Sequence, residues 1–93
     1  MFLHLGGDII VSKKNIIAIM NLETTAVSKI NNDFFKKSTE KNMVINIKTE
    51  ELPKSYVLTR EQGEKKLYIC PVSAQTLNKR YNSNEYINVL GKE

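Results

Sequence analysis

The apolar residues of this chain fall into short blocks separated by polar turn signals. Leucines alternate with other side chains in FLHL at residues 2–5, and IIV at 9–11 is apolar throughout, so we predict two short strands around the glycine turn at 6–8. The block IIAIM at 16–20 is also apolar at every position. Continuous apolarity of this kind is typical of a strand covered on both faces, and we expect this strand near the centre of a sheet.

A helical pattern follows these strands. Thr24 or Thr25 is a suitable N-cap, and the amphipathic pattern then continues to about residue 37. The apolar stripe consists of Ala26, Val27, Ile30 and Phe34. We expect this main helix to pack its stripe on the sheet.

The second half of the chain predicts three more strands and a short helix. Apolar and polar residues alternate over 43–48, as in a half-buried strand. Two β-rich runs at 56–58 and 67–70 flank a polar segment that contains Gly63, which predicts a β-hairpin. Ser73 is a good N-cap for the helix that follows.

This order of elements predicts a single α+β domain over residues 1–81, with residues 82–93 as a tail or appendage. We expect a mainly antiparallel sheet of five to six strands, with the main helix on one face and a short C-terminal helix. Apolar residues are predicted on both faces of the sheet, although only one main helix is available to cover it. A second protomer is the natural cover for the other face, so we expect a homo-oligomer.

Composition limits the class of protein. The chain has 93 residues, of which 41% are hydrophobic and 26% charged, and this is typical of one small soluble domain. The longest apolar run is far shorter than the ~20 residues of a membrane span, and the N-terminal segment is a poor signal peptide. A single cysteine excludes an intrachain disulfide. We therefore expect a cytoplasmic protein that does not insert into membranes.

Candidate catalytic and metal-binding groups are few. His4 and Cys70 are the only imidazole and the only thiol, and both lie in predicted strands, where burial explains them more simply than a catalytic pair does. One His and one Cys cannot form a tetrahedral metal site, and the glycine turn at 6–8 lacks the pattern of a phosphate-binding loop. We therefore expect a non-enzymatic protein with no metal, no cofactor and no small-molecule substrate.

Two tyrosines lie on the predicted hairpin strands. As cross-strand neighbours, Tyr56 and Tyr68 would form either a stacking platform for single-stranded nucleic acid or a pair that stabilises the hairpin. The structural alternative is favoured because tyrosine pairs commonly stabilise hairpins.

The basic residues are more informative, because the formal net charge of +4 is compatible with an anionic partner. The candidate DNA-binding residues stand at a turn, before a strand or in the last helix: Lys13, Lys14, Lys54, Lys79 and Arg80. Lysines in such positions can contact phosphates without reading bases. The alternative is that they are ordinary solubilising charges. In a closed oligomer each charge would be repeated at a fixed spacing, which would extend the positive surface.

Three segments resemble a known family. The opening HLGGDIIVSKKNIIAIMNL, the later PKSYVLT and then LYICPVSAQTLNKR are similar to the extracellular matrix regulatory proteins RemA and RemB, with most similarity to the RemB branch. The resemblance covers residues 1–81. It implies a small bacterial DNA-binding regulator of biofilm-matrix genes, a protomer similar to the LytTR DNA-binding domain, and a dimer or a ring of dimers with a basic surface for double-stranded DNA.

The resemblance also assigns roles to individual positions. Lys13 and Lys14 match the basic turn of the family, and Lys54 matches the basic residue that enters the following strand. RemA carries arginines just before that strand, whereas this chain has Glu50 and Glu51 there. The leading hypothesis is an oligomeric DNA-binding regulator, and the alternative is an oligomeric protein-interaction module that acts through another regulator.

Overall fold

The structure, a computed structural model, describes residues 1–30 and 41–83. The predicted helix beyond residue 30 and the predicted tail beyond residue 83 lie outside the described residues. Within the described ranges the chain forms six strands, one 3₁₀ turn and two helices. In chain order they are β1 (Phe2–Gly6), β2 (Ile9–Ser12), the 3₁₀ turn (Lys13–Asn15), β3 (Ile16–Asn21), α1 (Val27–Ile30), β4 (Lys41–Asn46), β5 (Ser55–Glu61), β6 (Glu64–Cys70) and α2 (Ala74–Asn82).

The strands of the described chain form two sheets. β1 and β2 make a two-stranded sheet, and the other strands make a four-stranded sheet in the order β3-β5-β6-β4. The predicted single sheet of five to six strands is wrong, because the β1–β2 hairpin packs on a face of the larger sheet. Leu3, Leu5 and Val11 of the hairpin belong to the same buried cluster as Val57 and Tyr68 of the larger sheet. The α+β class is confirmed, and the pairings are antiparallel except for the parallel β4–β6 pair.

The apolar strand β3 lies at an edge and not at the centre, so its predicted position is wrong. β3 pairs antiparallel with β5, and among the described residues no strand pairs with its other side. The register shifts between Ile16 and Ala18, and Ile17 between them is 42% exposed. The sheet centre is instead the β5–β6 hairpin, because each of its two strands is bonded to a neighbour on both sides in the order β3-β5-β6-β4.

The β5–β6 hairpin confirms the predicted hairpin in the second half of the chain. Its strands are joined by Gln62 and Gly63, whose φ angles are 51° and 79°. Two positive φ values in a two-residue loop are characteristic of a type I′ turn, which matches the natural twist of paired strands. β4 next to this hairpin covers most of the strand predicted at 43–48.

The two hairpin tyrosines are not cross-strand neighbours. Tyr56 lies opposite Ile69, whereas Tyr68 lies opposite Val57. Because side chains alternate between the faces of a strand, the two tyrosine rings lie on opposite faces of the sheet. Both are buried, so they do not form the stacking platform considered above.

Each face of the four-stranded sheet has its own buried cluster. The hairpin-side core lies under the β1–β2 hairpin and α2 and contains Leu3, Leu5, Val11, Ile47, Val57, Tyr68, Cys70 and Leu77. The α1-side core contains Ile30, Tyr56, Leu58 and Leu67. Elements of the same chain therefore pack on both faces, and on the α1 side the described cover is Ile30 of α1. Oligomerisation stays a prediction.

The two helices begin differently. The carbonyl of Ala26 accepts from the amide of Ile30 at 3.2 Å, so α1 begins just after the threonines, and the cap at Thr24 or Thr25 stays a prediction. Ile30 is fully buried in the α1-side core, as its stripe predicts. For α2, the prediction is confirmed because the Ser73 side chain accepts from the amide of Thr76.

The turn between β1 and β2 requires glycine at its first position. Gly6 has a φ of 122°, and a Cβ built there would lie 2.8 Å from Cγ of Pro71. A side chain would therefore push the hairpin away from the segment that leads into α2. The glycine turn thus positions β1 against the end of β6, as a structural feature and not as a phosphate loop.

Candidate nucleic-acid interface

Lys13 links the 3₁₀ turn to the C-terminal end of α2. Its amine donates to the carbonyl of Tyr81 at 2.8 Å and to that of Ser83 at 2.9 Å. The same amine lies 5.7 Å from the centroid of the Tyr81 ring, within range of a cation–π contact. Helix C-terminal carbonyls carry partial negative charge, so the lysine stabilises the helix end while it binds there.

Arg80 makes a second link between α2 and the N-terminal hairpin. Its Nη1 donates to the carbonyl of His4 at 3.1 Å. Lys79, one residue earlier in the last turn of α2, is exposed. The bonds of Lys13 hold the 3₁₀ turn against this helix end, so the basic residues of the turn and of the last turn of α2 belong to two adjoining elements. We call Lys13, Lys14, Lys79 and Arg80 the basic corner.

Lys14 is the exposed lysine of the 3₁₀ turn. It borders a polar groove of about 450 Å³, which is also lined by Asn15, Glu61, Gln62, Glu64 and Lys66. The groove carries both signs of charge, so Lys14 stands at the boundary between the basic corner and a mixed-charge patch at the β5–β6 turn.

The Glu61 carboxylate contacts three side chains in that patch. Its Oε2 accepts from the Thr59 hydroxyl at 2.6 Å and from the Tyr68 hydroxyl at 2.9 Å, and its Oε1 lies 3.4 Å from the amine of Lys66. Burial by itself would raise the pKa of Glu61, but these hydrogen bonds and the charge of Lys66 lower the pKa below its ordinary value of 4.5. The carboxylate is therefore held ionised, while burial and the carboxylate raise the pKa of the Tyr68 phenol.

Lys54 does not lie in the basic corner. It precedes β5, its amide donates to the Cys70 carbonyl at 2.7 Å, and its side chain is exposed. The polar groove beside Lys14 is at the opposite end of β5, which has 7 residues. With a rise of about 3.3 Å per residue, the two lysines are on the order of 20 Å apart. The structure thus separates Lys54 from the other four candidates.

The loop before Lys54 forms a second groove of about 420 Å³. Glu50 and Glu51 lie on its exposed loop, and Ile47, Ile69 and Pro71 contribute apolar surface. Leu52 on the same loop is 80% exposed, the highest value among the large hydrophobic residues with described exposure. This loop therefore combines negative charge with an apolar side chain, unlike the basic corner.

The structure does not bring His4 and Cys70 together. His4 lies opposite Ile10 on the outer side of the β1–β2 hairpin, and its Nε2 is 2.8 Å from the Gly7 carbonyl. Cys70 lies in the hairpin-side core, where burial raises the pKa of its thiol to about 12. A thiol with that pKa stays protonated at neutral pH and is a poor nucleophile. Among residues 1–30 and 41–83, no cluster of three His, Cys, Asp or Glu side chains is suited to a metal ion.

Sequence reasoning found the cations but not the contacts that group them. Lys13 and Tyr81 are separated by 68 positions, and Arg80 and His4 by 76. Both bonds end on backbone carbonyls, which any residue supplies, so no side-chain motif marks them. In the described part of the chain, no helix is long and apolar enough to cross a bilayer.

Fold and site together define a small α+β protein with a basic corner at the end of its C-terminal helix. Residues 2–81 match the family described as extracellular matrix regulatory protein A-like, or RemA-like. The chain is also 35% identical over 80 residues to the extracellular matrix regulatory protein B of Bacillus subtilis (strain 168), an alignment that covers 86% of this chain and 89% of the relative. The chain belongs to the RemA-like family of extracellular matrix regulatory proteins, which confirms the resemblance seen in the sequence.

Proposed function

We propose that this chain is a bacterial transcriptional regulator of extracellular-matrix, or biofilm, genes that binds double-stranded DNA as a cytoplasmic homo-oligomer. The name of its relative, an extracellular matrix regulatory protein, supports the regulatory role. The observation that carries DNA binding is the basic corner, four basic residues on two elements that Lys13 joins at the end of α2. The proposal describes a binding protein and not an enzyme. We also propose that the protomer resembles the LytTR DNA-binding domain and that protomers assemble as a dimer or as a ring of dimers.

The mechanism is neutralisation of DNA phosphates. Lys14 and Lys79 are exposed, and within the described residues neither amine donates to a backbone carbonyl. Their amines can therefore reach a phosphate. A lysine amine has three donors and a guanidinium has five, so Lys13 and Arg80 keep donors for phosphate after binding carbonyls of their own chain. Repetition of the corner in an oligomer would multiply these contacts. Sequence selection would then depend mainly on the shape and bendability of the DNA.

A DNA titration at several salt concentrations tests this proposal. We expect binding that weakens steeply with salt, because the slope of log K against log [salt] is about −0.9 per neutralised phosphate. The double variant Lys14→Glu/Lys79→Glu should weaken binding to all DNA sequences alike and flatten the slope. Lys29→Glu, an exposed lysine on α1 at the other face of the sheet, is the matched control and should behave as wild type.

The same titration assigns a role to the separate lysine. Lys54→Glu tests whether the DNA also follows the far end of β5. If the wild-type oligomer does not bind DNA even at low salt, or if the double variant binds with an unchanged slope, the DNA proposal is wrong. Oligomer mass measured in the same buffers shows whether any loss of binding comes from loss of assembly.

A second candidate function is favoured by the loop before Lys54. Glu50 and Glu51 stand beside the exposed Leu52, a combination that suits a partner protein with basic and apolar side chains. On this alternative the oligomer would act through another regulator. Leu52→Asp and Glu50→Lys/Glu51→Lys should then abolish capture of that regulator in a pull-down. DNA affinity that is insensitive to the basic corner would select this function over the first.

A further inference from the structure

Strand β3 has the sequence of a central strand but the position of an edge strand. Every residue from 16 to 20 is apolar, yet among the described residues β3 pairs with β5 alone. An edge strand presents unpaired backbone N–H and C=O groups along its outer side, and proteins usually protect such an edge with lysines or prolines. The sequence from residue 15 to residue 22 contains no charged residue and no proline.

We propose that the outer edge of β3 is an interaction surface for a second copy of the same strand, paired antiparallel about a two-fold axis. This inference rests on the homo-oligomer of the proposed function and names the surface through which two copies meet. Antiparallel self-pairing places the same uncharged apolar segment on both sides, so no like charges face each other across the axis. The two four-stranded sheets would then join into one continuous sheet.

The surface next to β3 extends the contact beyond one strand. A stable interface buries about 800 Å² per partner, which a strand of 6 residues does not supply by backbone pairing alone. A groove of about 220 Å³ runs between β3 and α2, where Asn78 and Tyr81 form the helix side. Tyr81 is exposed in part. It offers a second copy an aromatic side chain of the kind enriched at interfaces.

The bulge in β3 is compatible with this pairing. The register shift is confined to the N-terminal end, between Ile16 and Ala18, and pairing with β5 is regular from Ala18 to Asn21. The regular part supplies the ladder, while the exposed Ile17 supplies apolar surface at its end. In the antiparallel arrangement the two basic corners, which lie at the start of each β3, stand at opposite ends of the strand pair, on the order of 20 Å apart.

The matched variants Ile17→Lys and Ile10→Lys test the proposal. Ile17 is 42% exposed on β3, and Ile10 is 52% exposed on the outer face of the β1–β2 hairpin. A lysine on an edge strand blocks pairing with another chain. We expect Ile17→Lys to weaken self-association at least tenfold by analytical ultracentrifugation, and Ile10→Lys to stay within about threefold of wild type. Circular dichroism and urea unfolding check that both variants are folded.

Hydrogen exchange on the wild-type protein gives an answer that does not depend on a variant. The β3 amides within Ile16–Asn21 that point to the outer edge should exchange at least tenfold more slowly at high protein concentration than in a dilute monomer, whereas those of β1 and β2 should not change. Three results would overturn the inference: assembly of folded Ile17→Lys as tightly as wild type, equal protection of β3 in the dilute monomer, or a wild-type protein that stays monomeric throughout. DNA titration of Ile17→Lys separates this inference from the proposed function, because residual salt-dependent binding by a monomer leaves the basic corner as the DNA site.

Discussion

Lys13 has two roles in this molecule, because its amine binds the carbonyls at the end of α2 and also contributes charge to the basic corner. The two roles affect different quantities, the stability of the fold and the affinity for DNA. Binding of the helix end stabilises the folded chain, whereas phosphate binding changes only the affinity for DNA. Its neighbour Lys14 carries the same charge on an exposed side chain. The pair therefore allows the structural and functional contributions of a lysine to be measured separately.

We predict that Lys13→Met lowers the free energy of unfolding by about 0.5–1.5 kcal/mol, because the carbonyls of Tyr81 and Ser83 lose a charged donor near the helix end. Lys14→Met, the control, should stay within about 0.5 kcal/mol of wild type, as surface substitutions usually do. Urea unfolding followed by circular dichroism measures both. Equal stability of the two variants would show that the carbonyl contacts of Lys13 do not hold the helix end.

Glu61 makes the stability of the folded protein depend on pH. Hydrogen bonds from Thr59 and Tyr68 and the charge of Lys66 lower the pKa of Glu61 in the folded protein. In the unfolded chain the group titrates near its ordinary value of 4.5. The unfolded state therefore binds a proton more readily, and the stabilisation by Glu61 is complete above that value and is lost as the pH falls through the folded pKa.

We predict that Glu61→Gln removes this part of the acid sensitivity. The wild-type free energy of unfolding should fall more steeply than that of the variant as the pH drops below about 4.5. At neutral pH the variant should be the less stable of the two, because an amide accepts hydrogen bonds less strongly than a carboxylate. Urea unfolding at a series of pH values measures the difference. Parallel curves for the two proteins would contradict the assignment of the carboxylate to this network.

At the scale of elements, the β5–β6 hairpin is the feature on which the larger sheet depends. Its turn contains a glutamine with a φ of 51°, in the left-handed region where a side chain larger than that of Asn or Gly is disfavoured. Asn-Gly is the sequence most often found in type I′ turns. The natural turn is therefore not the most stable one that this backbone allows.

We predict that Gln62→Asn raises the free energy of unfolding by about 0.5–1 kcal/mol, because Asn adopts the left-handed conformation at lower cost. Gln62→Val should instead lower stability, since a β-branched residue at positive φ is strained. Thermal and urea unfolding of the three proteins test the order Asn, Gln, Val. A stabilising effect of valine would show that residue 62 does not hold this turn conformation in solution.

Sequence patterns predicted most elements but not their order in the sheets. The β1–β2 and β5–β6 hairpins and the Ser73 cap could be predicted because turn and cap signals are local. The position of β3 could not, because apolarity on both faces predicts burial without saying which strand is the neighbour. The pairing of Tyr56 with Ile69 depends on the register of the hairpin. The turn at Gln62 and Gly63 sets that register, and it cannot be deduced from the strand residues alone.

At the scale of the whole molecule, the two cores lie on either side of the sheet and share the strands β5 and β6. Cys70 reports on the hairpin-side core, because it is fully buried there and its thiol pKa is raised to about 12. A thiol reagent at pH 8 should therefore label Cys70 only when the structure opens. The labelling rate becomes a measure of opening of the folded chain.

We predict that Leu77→Ala lowers the free energy of unfolding by about 2–5 kcal/mol, because it leaves a cavity where α2 meets the hairpin-side core. Labelling of Cys70 should accelerate accordingly, by at least about tenfold. Leu52→Ala is the control, because Leu52 is largely exposed and should change neither quantity. Similar labelling rates in the two variants would indicate that Cys70 is reached by local fraying of β6.

The candidate site could be predicted only in part from the sequence. All five basic candidates could be named, because the sequence gives the identity of every lysine and arginine directly. Their division into a corner and the separate Lys54 could not, since it depends on the length and direction of β5. The carbonyl contacts of Lys13 and Arg80 also left no trace in the sequence, because every residue carries a carbonyl.

The strand order β3-β5-β6-β4 has a consequence for synthesis of the protein. Both central strands come later in the chain than the strands on either side of them, and β3 and β4 lie too far apart in the sheet to pair with each other. A nascent chain that ends before residue 64 therefore lacks a strand on which β4 could assemble. At roughly 5–20 residues per second, the apolar β3 leaves the ribosome seconds before its partner strand. During that interval its apolar side chains are exposed to chaperones and to other nascent copies, so the last third of the chain decides when this protein becomes folded.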